Sequence, residues 1–198
     1  MSARFELLRH GETELGSVFR GSLDDALTAR GWAQMRAAAS AAASTAASAA
    51  VESGVWDVIV SSPLRRCAAF AEELAQAHGL AVQLETDLRE LHFGSWEGCS
   101  SAQLMLDQAD GLRQFWSDPY AFTPPGGEPV EAFAARVFAA MARLDAQHAG
   151  RRVLVVSHGG VINLLLARAR GLPREQLMSV AVGHGELHPL SLGRVWPS

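Results

Sequence analysis

Two histidines, His10 and His158, each stand at the end of an apolar run and directly before a glycine, and this placement suits chemistry. Phe5-Glu6-Leu7-Leu8 reads as a buried strand that Gly11 interrupts, leaving Arg9 and His10 at its carboxyl end, where open α/β sheets bind ligands. Val153-Leu154-Val155-Val156 delivers His158 and the pair Gly159-Gly160 in the same way. A neutral imidazole, with an ordinary pKa of about 6.5, can act as a nucleophile at cellular pH without an auxiliary base. A guanidinium beside it offers paired N–H donors to phosphate oxygens. Together such groups suit attack on phosphorus and the stabilisation of charge spread over equatorial oxygens. A single histidine after a strand is ordinarily a structural residue, so the pair gains its meaning from the rest of the chain.

Four blocks follow one another in order: Arg9-His10-Gly11-Glu12, then Ser61-Ser62-Pro63-Leu64-Arg65-Arg66-Cys67, then Glu90 followed by Phe93-Gly94-Ser95-Trp96-Glu97-Gly98, and last Val153 to Gly160. In this order they resemble the histidine phosphatase superfamily, which includes cofactor-dependent phosphoglycerate mutases and many small phosphatases, and the resemblance covers nearly the whole chain. By place in the second block it puts the phosphate-binding arginine at Arg66 and leaves Arg65 at a variable position. It implies a metal-independent phosphoric monoester hydrolase, with no cofactor and with a small-molecule phosphomonoester as partner. His10 is then the nucleophile that becomes a phosphohistidine. Arg9, Arg66 and a protonated His158 bind the phosphoryl group, and Glu90 protonates the departing alkoxide before taking a proton from water. Glu90 has a plainer reading as a loop carboxylate that caps a neighbour, and Arg66 as a solvated helix charge.

Within the superfamily, the short chain, the Phe93 to Glu97 stretch and the loop Pro124-Pro125-Gly126-Gly127-Glu128 resemble the alpha-ribazole phosphatases of cobalamin synthesis. The alternatives are a broad-specificity phosphatase or a phosphoglycerate mutase-like enzyme. Mutase-like relatives carry an arginine and a tyrosine soon after the acidic residue, whereas Leu91, His92 and Phe93 stand here. A non-catalytic binding module is disfavoured by the joint presence of Arg9, His10, Arg66, Glu90 and His158. Two departures from the family pattern are Gly16, where many relatives have asparagine, and Ala26, where proline is usual. Loss of the asparagine amide removes a phosphate donor but not the nucleophile.

Composition agrees with this reading. A chain of 198 residues, 48% of them hydrophobic, can bury a substantial core and fits a single domain. A net charge of -4 gives no basic footprint, so nucleic acid is not an expected partner. Cys67 and Cys99 are the two cysteines and have no paired spacing, which suggests neither a disulfide framework nor a zinc cage and makes the cytoplasm the default location. Arg9 and its motif arrive before an apolar segment of adequate length, so a secretory signal is not expected. The uncharged tract from Ala37 to Val51 is shorter than the roughly 20 residues of a membrane span, so no membrane partner is expected. A homodimer is left open.

The elements that would position these residues alternate along the chain. A helix opens near Thr28, with Ser40, Ser44 and Ser48 on one face, and partial disorder towards Ser53-Gly54 is the alternative reading of its end. Trp56 to Val60 reads as a strand, Leu64 to His78 as a helix ended by Gly79, and Ala81 to Leu84 as a short strand. Ser100 to Ser117 reads as a helix and Pro119 to Pro129 as an irregular loop. Phe133, Val137, Met141 and Leu144 mark a helical stripe from Val130 to Gly150. After the Val153 strand come a helix through Ile162 to Ala169 and an edge strand from Leu187 to Val195. The expected fold is a three-layer α/β domain with a mostly parallel sheet and helices on both faces, phosphoglycerate mutase-like, with residues 100–129 capping the site. Leu104, Phe115, Trp116 and Phe122 of that cap would bury a flat base, and Trp96 is a candidate for pocket or core. His184, Glu186 and His188 resemble a metal triplet, but Gly183, Gly185 and Pro189 disfavour the helix such a motif needs, so no metal is assigned.

Overall fold

The computed structural model describes residues 1–48 and 55–190. Its sheet runs in the order β3-β2-β4-β1-β5, from strands β1 (Arg4–Arg9), β2 (Val58–Ser61), β3 (Val82–Leu84), β4 (Arg152–Ser157) and β5 (Leu187–Leu190). The first four are parallel to their neighbours, and β5 pairs antiparallel with β1. All four residues of β2 are buried, as are Val153 to Ser157 of β4, which requires a helical layer on each face. The period of two sorts their side chains between those layers. Phe5, Leu7, Val60, Val153 and Val155 pack in the core that holds α5 (Val130–Gln147) and α6 (Gly159–Ala169). Leu8, Ile59, Leu154 and Val156 pack in the core of α1 (Ala29–Ser48) and α2 (Arg65–His78). The result is the three-layer, mostly parallel architecture expected from the alternation of elements.

Local signals account for most boundaries. The Thr28 hydroxyl accepts from the Gly31 N–H at 3.0 Å and caps α1. Ser40 and Ser44 lie on its exposed face, while Met35 and Ala39 are buried. The question raised for Ser53-Gly54 lies outside the described residues. Gly79 ends α2 in the left-handed conformation, φ 66°. The α5 stripe of Phe133, Val137, Met141 and Leu144 is buried as read, each contributing about 1.5–3 kcal/mol of burial.

The expected single helix over Ser100–Ser117 is two, α3 (Ser101–Asp107) and α4 (Ala109–Ser117). The break falls at Gln108, which leaves helical geometry at φ -141° and accepts a hydrogen bond from the Trp96 indole at 2.8 Å. The turn lets Leu104 of α3 and both Leu112 and Phe115 of α4 reach one core. The last strand occupies Leu187–Leu190, and the rest of the expected segment lies outside the described residues. Three short 3₁₀ turns, Thr86–Leu88, Gly94–Trp96 and Arg174–Ser179, left no periodic trace in the sequence.

Candidate active site

Strand register brings the two histidines together. Arg9 of β1 pairs with Ser157 of β4, so the next residues, His10 and His158, leave adjacent strand ends side by side, and the His10 N–H donates to the Ser157 carbonyl at 3.0 Å. Their ring centroids are 5.4 Å apart, edge to face, close enough to share one phosphoryl group. Beside them begin α2 and α6, whose N-termini favour an anion.

Each imidazole has a defined tautomer. His10 Nδ1–H donates to the Gly11 carbonyl at 2.8 Å, which leaves the Nε2 lone pair for attack. Burial, reinforced by Arg66, Arg9 and His184, holds its pKa well below the usual value, so the ring is neutral at neutral pH. His158 is wholly buried; its Nδ1 accepts from Arg66 Nε at 3.2 Å and its Nε2–H donates to Ser62 Oγ at 2.7 Å. Burial first, then Arg66, pushes its pKa well below the usual value. The protonated His158 expected from sequence is therefore corrected for the free protein: a fully desolvated imidazole beside a fixed guanidinium stays neutral.

The arginines differ in access. Arg66 is fully buried and donates to the Leu23 and Gly21 carbonyls at 2.6 and 3.0 Å. Arg9 lines the cavity, with Nη1 and Nη2 held by the Val182 carbonyl and His184 Nε2 while its buried Nε has no partner. Arg20, which no motif singled out, also lines the cavity and pairs with Asp25 at 3.0 Å. Asp25 lies 3.7 Å from Arg66 as well. Burial lowers the pKa of both Arg9 and Arg20, so an incoming anion would relieve a crowded, desolvated set of cations.

Glu90 lines the same cavity. Its Oε1 accepts from the Leu91 N–H and its Oε2 from the Gly160 N–H, both at 3.0 Å. Arg136 of α5 donates to the Asp87, Arg89 and Glu90 carbonyls and so holds this segment in place. The Gly159-Gly160 pair makes room for the site: a Cβ at Gly159 would sit 3.3 Å from Arg9 Nε, and one at Gly160 would sit 2.3 Å from Glu90 Oε1.

The cavity, about 320 Å³, carries Arg9, His10 and Glu90 on its lining, while Arg66 and His158 lie behind His10 without exposed surface. The rest of its lining is largely apolar and includes Val18, Phe19, Phe93, Phe133, Leu177 and Val182. Of the cap residues expected to contact substrate, Phe115 alone is on the lining. Leu104 is buried in the core, Trp116 is exposed, and Phe122 stacks on Trp96 at 5.4 Å. Trp96 is itself fully buried and belongs to the core. His184 is the chief omission of the sequence reading. Its ring lies 5.6 Å from His10, and the only signal it left was the cluster with Glu186 and His188, which invited a question about metal. Gly16 lines the cavity at φ 66° and brings no side-chain donor.

Residues 5–194 match the family model described as histidine phosphatase superfamily (branch 1). The chain belongs to this superfamily. It is 36% identical over 180 residues to the glucosyl-3-phosphoglycerate phosphatase of Mycobacterium tuberculosis, across 86% of this chain and 76% of that protein. It is 32% identical over 184 residues to the adenosylcobalamin/alpha-ribazole phosphatase of Escherichia coli, across 92% and 86%. Among solved structures, the mycobacterial glucosyl-3-phosphoglycerate phosphatase with VO3 superposes with a TM-score of 0.80 at 34% identity, covering 95% of this chain and 90% of that one. These relatives are named phosphatases, and phosphoric monoester hydrolase is the enzyme class the sequence implied.

Proposed function

We propose that the protein hydrolyses a small phosphomonoester through a phosphohistidine on His10, without a metal ion. The observation that carries this reading is the His10 tautomer: a buried neutral ring whose Nδ1–H is committed to Gly11, leaving Nε2 uncommitted in a cavity that Arg9 also lines. Phosphate oxygens would meet the Arg9 guanidinium where it lines the cavity. Arg66 and His158 would supply positive potential from behind as charge develops. As the phosphoryl dianion enters, its charge favours the protonated form of His158 that the empty site disfavours. Glu90, held at the start of α6, would give a proton to the leaving alkoxide and later accept one from the attacking water. Hydrolysis of the phosphohistidine then restores His10.

For the substrate, the apolar wall supports an ester whose alcohol carries a flat or apolar group, and alpha-ribazole 5'-phosphate is the best candidate. A glucosyl-3-phosphoglycerate is the second reading, favoured by Arg20, a cation on the lining beyond Arg9 that could meet a carboxylate. Phosphate release over a panel holding both esters, 3-phosphoglycerate and p-nitrophenyl phosphate tests the choice. We expect kcat/KM for alpha-ribazole 5'-phosphate to exceed that for 3-phosphoglycerate at least about tenfold. Preference for the glucosylated ester would move the assignment to the second reading, and phosphoryl exchange between phosphoglycerates without net release would reject hydrolysis. Turnover should survive chelators and be inhibited by vanadate. Loss of activity with a chelator, restored by added magnesium or zinc, would reject the metal-free mechanism.

A further inference from the structure

One polar group on the cavity wall is not used by the proposed chemistry. Asn163 of α6 lines the cavity, and its Oδ1 is buried with no hydrogen-bond partner. Its neighbours on the helix, Val161, Ile162, Leu164 and Leu165, are all buried apolar residues. Phe115, Val130, Phe133 and Leu177 line the same cavity. An unpaired amide in such surroundings costs stability that a leucine of similar size would not. Burial of this acceptor is therefore unexplained by packing and calls for a partner from outside the chain.

Its place along α6 says which part of a substrate it would meet. Gly159 and Gly160 are four and three residues earlier, so they share its helix face, one turn nearer the reacting centre. Gly159 abuts Arg9 and Gly160 abuts Glu90, the groups assigned to the phosphoryl oxygens and to the leaving oxygen. One turn beyond, about 5 Å along the axis, a group bound at Asn163 belongs to the alcohol and not to the phosphate. A neutral amide accepts from a hydroxyl or N–H and donates to a hydroxyl or carbonyl, but it does not neutralise a carboxylate.

We propose that Asn163 is a specificity-determining residue that selects phosphomonoesters whose alcohol carries a further hydroxyl a few bonds from the ester oxygen, as a ribosyl or other sugar group does. This rests on the phosphatase reading above and deepens it. Asn163 takes no part in bond making. Its side chain recognises the sugar, while the apolar wall covers whatever the sugar bears.

The test compares ribose 5-phosphate with n-pentyl phosphate, which has the same chain length and lacks the hydroxyls, in the wild type, Asn163→Leu and Asn163→Ala. Both kcat/KM and calorimetric Kd are measured, with inorganic phosphate as a third ligand. Both variants should lose about tenfold on ribose 5-phosphate in both readouts and stay within about twofold on n-pentyl phosphate and on inorganic phosphate. Asn163→Leu should also raise Tm. Equal losses on the two esters, or no loss on ribose 5-phosphate, would overturn the proposal. A wild type that binds both esters but hydrolyses neither would sink the phosphatase reading, and the calorimetric comparison would still decide the role of Asn163.

Discussion

Replacing Gly160 by alanine should separate catalysis from stability. A Cβ at this position would lie 2.3 Å from Glu90 Oε1, 3.2 Å from Cδ and 3.5 Å from Oε2. Ordinary contact begins near 3.4 Å, so the carboxylate must retreat by about 1 Å, and as the end of a flexible side chain it can do so without moving the backbone. The retreat breaks the hydrogen bonds from the Gly160 and Leu91 N–H groups, each worth about 0.5–1.5 kcal/mol net of exchange with water. Alanine returns about 1 kcal/mol through helix propensity, so the net change in stability should stay within about 1–2 kcal/mol. Chemistry has no such compensation, because a misplacement of about 1 Å at a reacting group can cost about 100-fold. Steady-state kinetics on ribose 5-phosphate, a poor leaving group, should show a loss of that order in kcat/KM. The loss on p-nitrophenyl phosphate, whose phenolate departs without a proton, should be within about threefold. Thermal unfolding checks the fold in the same samples. Equal losses on the two substrates, or full activity on both, would refute the placement of Glu90 as the acid.

His10→Ala should abolish a phosphoenzyme that mass spectrometry detects in the wild type, and a persisting adduct would relocate the nucleophile. Because burial holds the His10 pKa well below its usual value, kcat/KM should show no titration of the nucleophile near pH 6.5, and its acid limb should lie lower; an acid limb centred at or above 6.5 would contradict the neutral buried ring. For stability the sign follows from linkage: unfolded imidazoles take up protons below about pH 6.5 while native His10 and His158 resist them, so denaturant-measured stability should fall as the pH drops below that value. His184→Ala should raise KM about tenfold with kcat within about threefold by releasing Arg9 Nη2, and His184→Gln, which keeps a neutral acceptor, should restore most of the loss. Identical behaviour of the two variants would show that His184 does not orient Arg9.

Much of this protein was legible because it is local. Apolar runs that stop at Gly11 and at Gly159 announce strand ends, and a residue at a strand end needs no distant partner to be placed there. The α5 stripe, the Thr28 cap and the Gly79 stop are equally short-range, since each is written within a turn or two of chain. What the sequence could not carry is how segments far apart in the chain close on one another. The segment that holds Arg9 through Val182 and His184 lies 173 and 175 residues away from it, and Arg66 is capped by carbonyls 43 and 45 residues earlier. No periodicity encodes such contacts. The charge of His158 is of the same kind, because desolvation depends on every element packed around a group, and only the assembled layers leave that ring with no exposed surface. Hydrophobicity alone also could not divide the aromatics. Phe115, Trp96 and Phe122 meet in one aromatic cluster, and of the three Phe115 alone also lines the cavity. Residue types thus announced the chemistry and the strand ends that present it. Tertiary packing decided which donors remain free, that both imidazoles stay neutral and which side chains a substrate would touch.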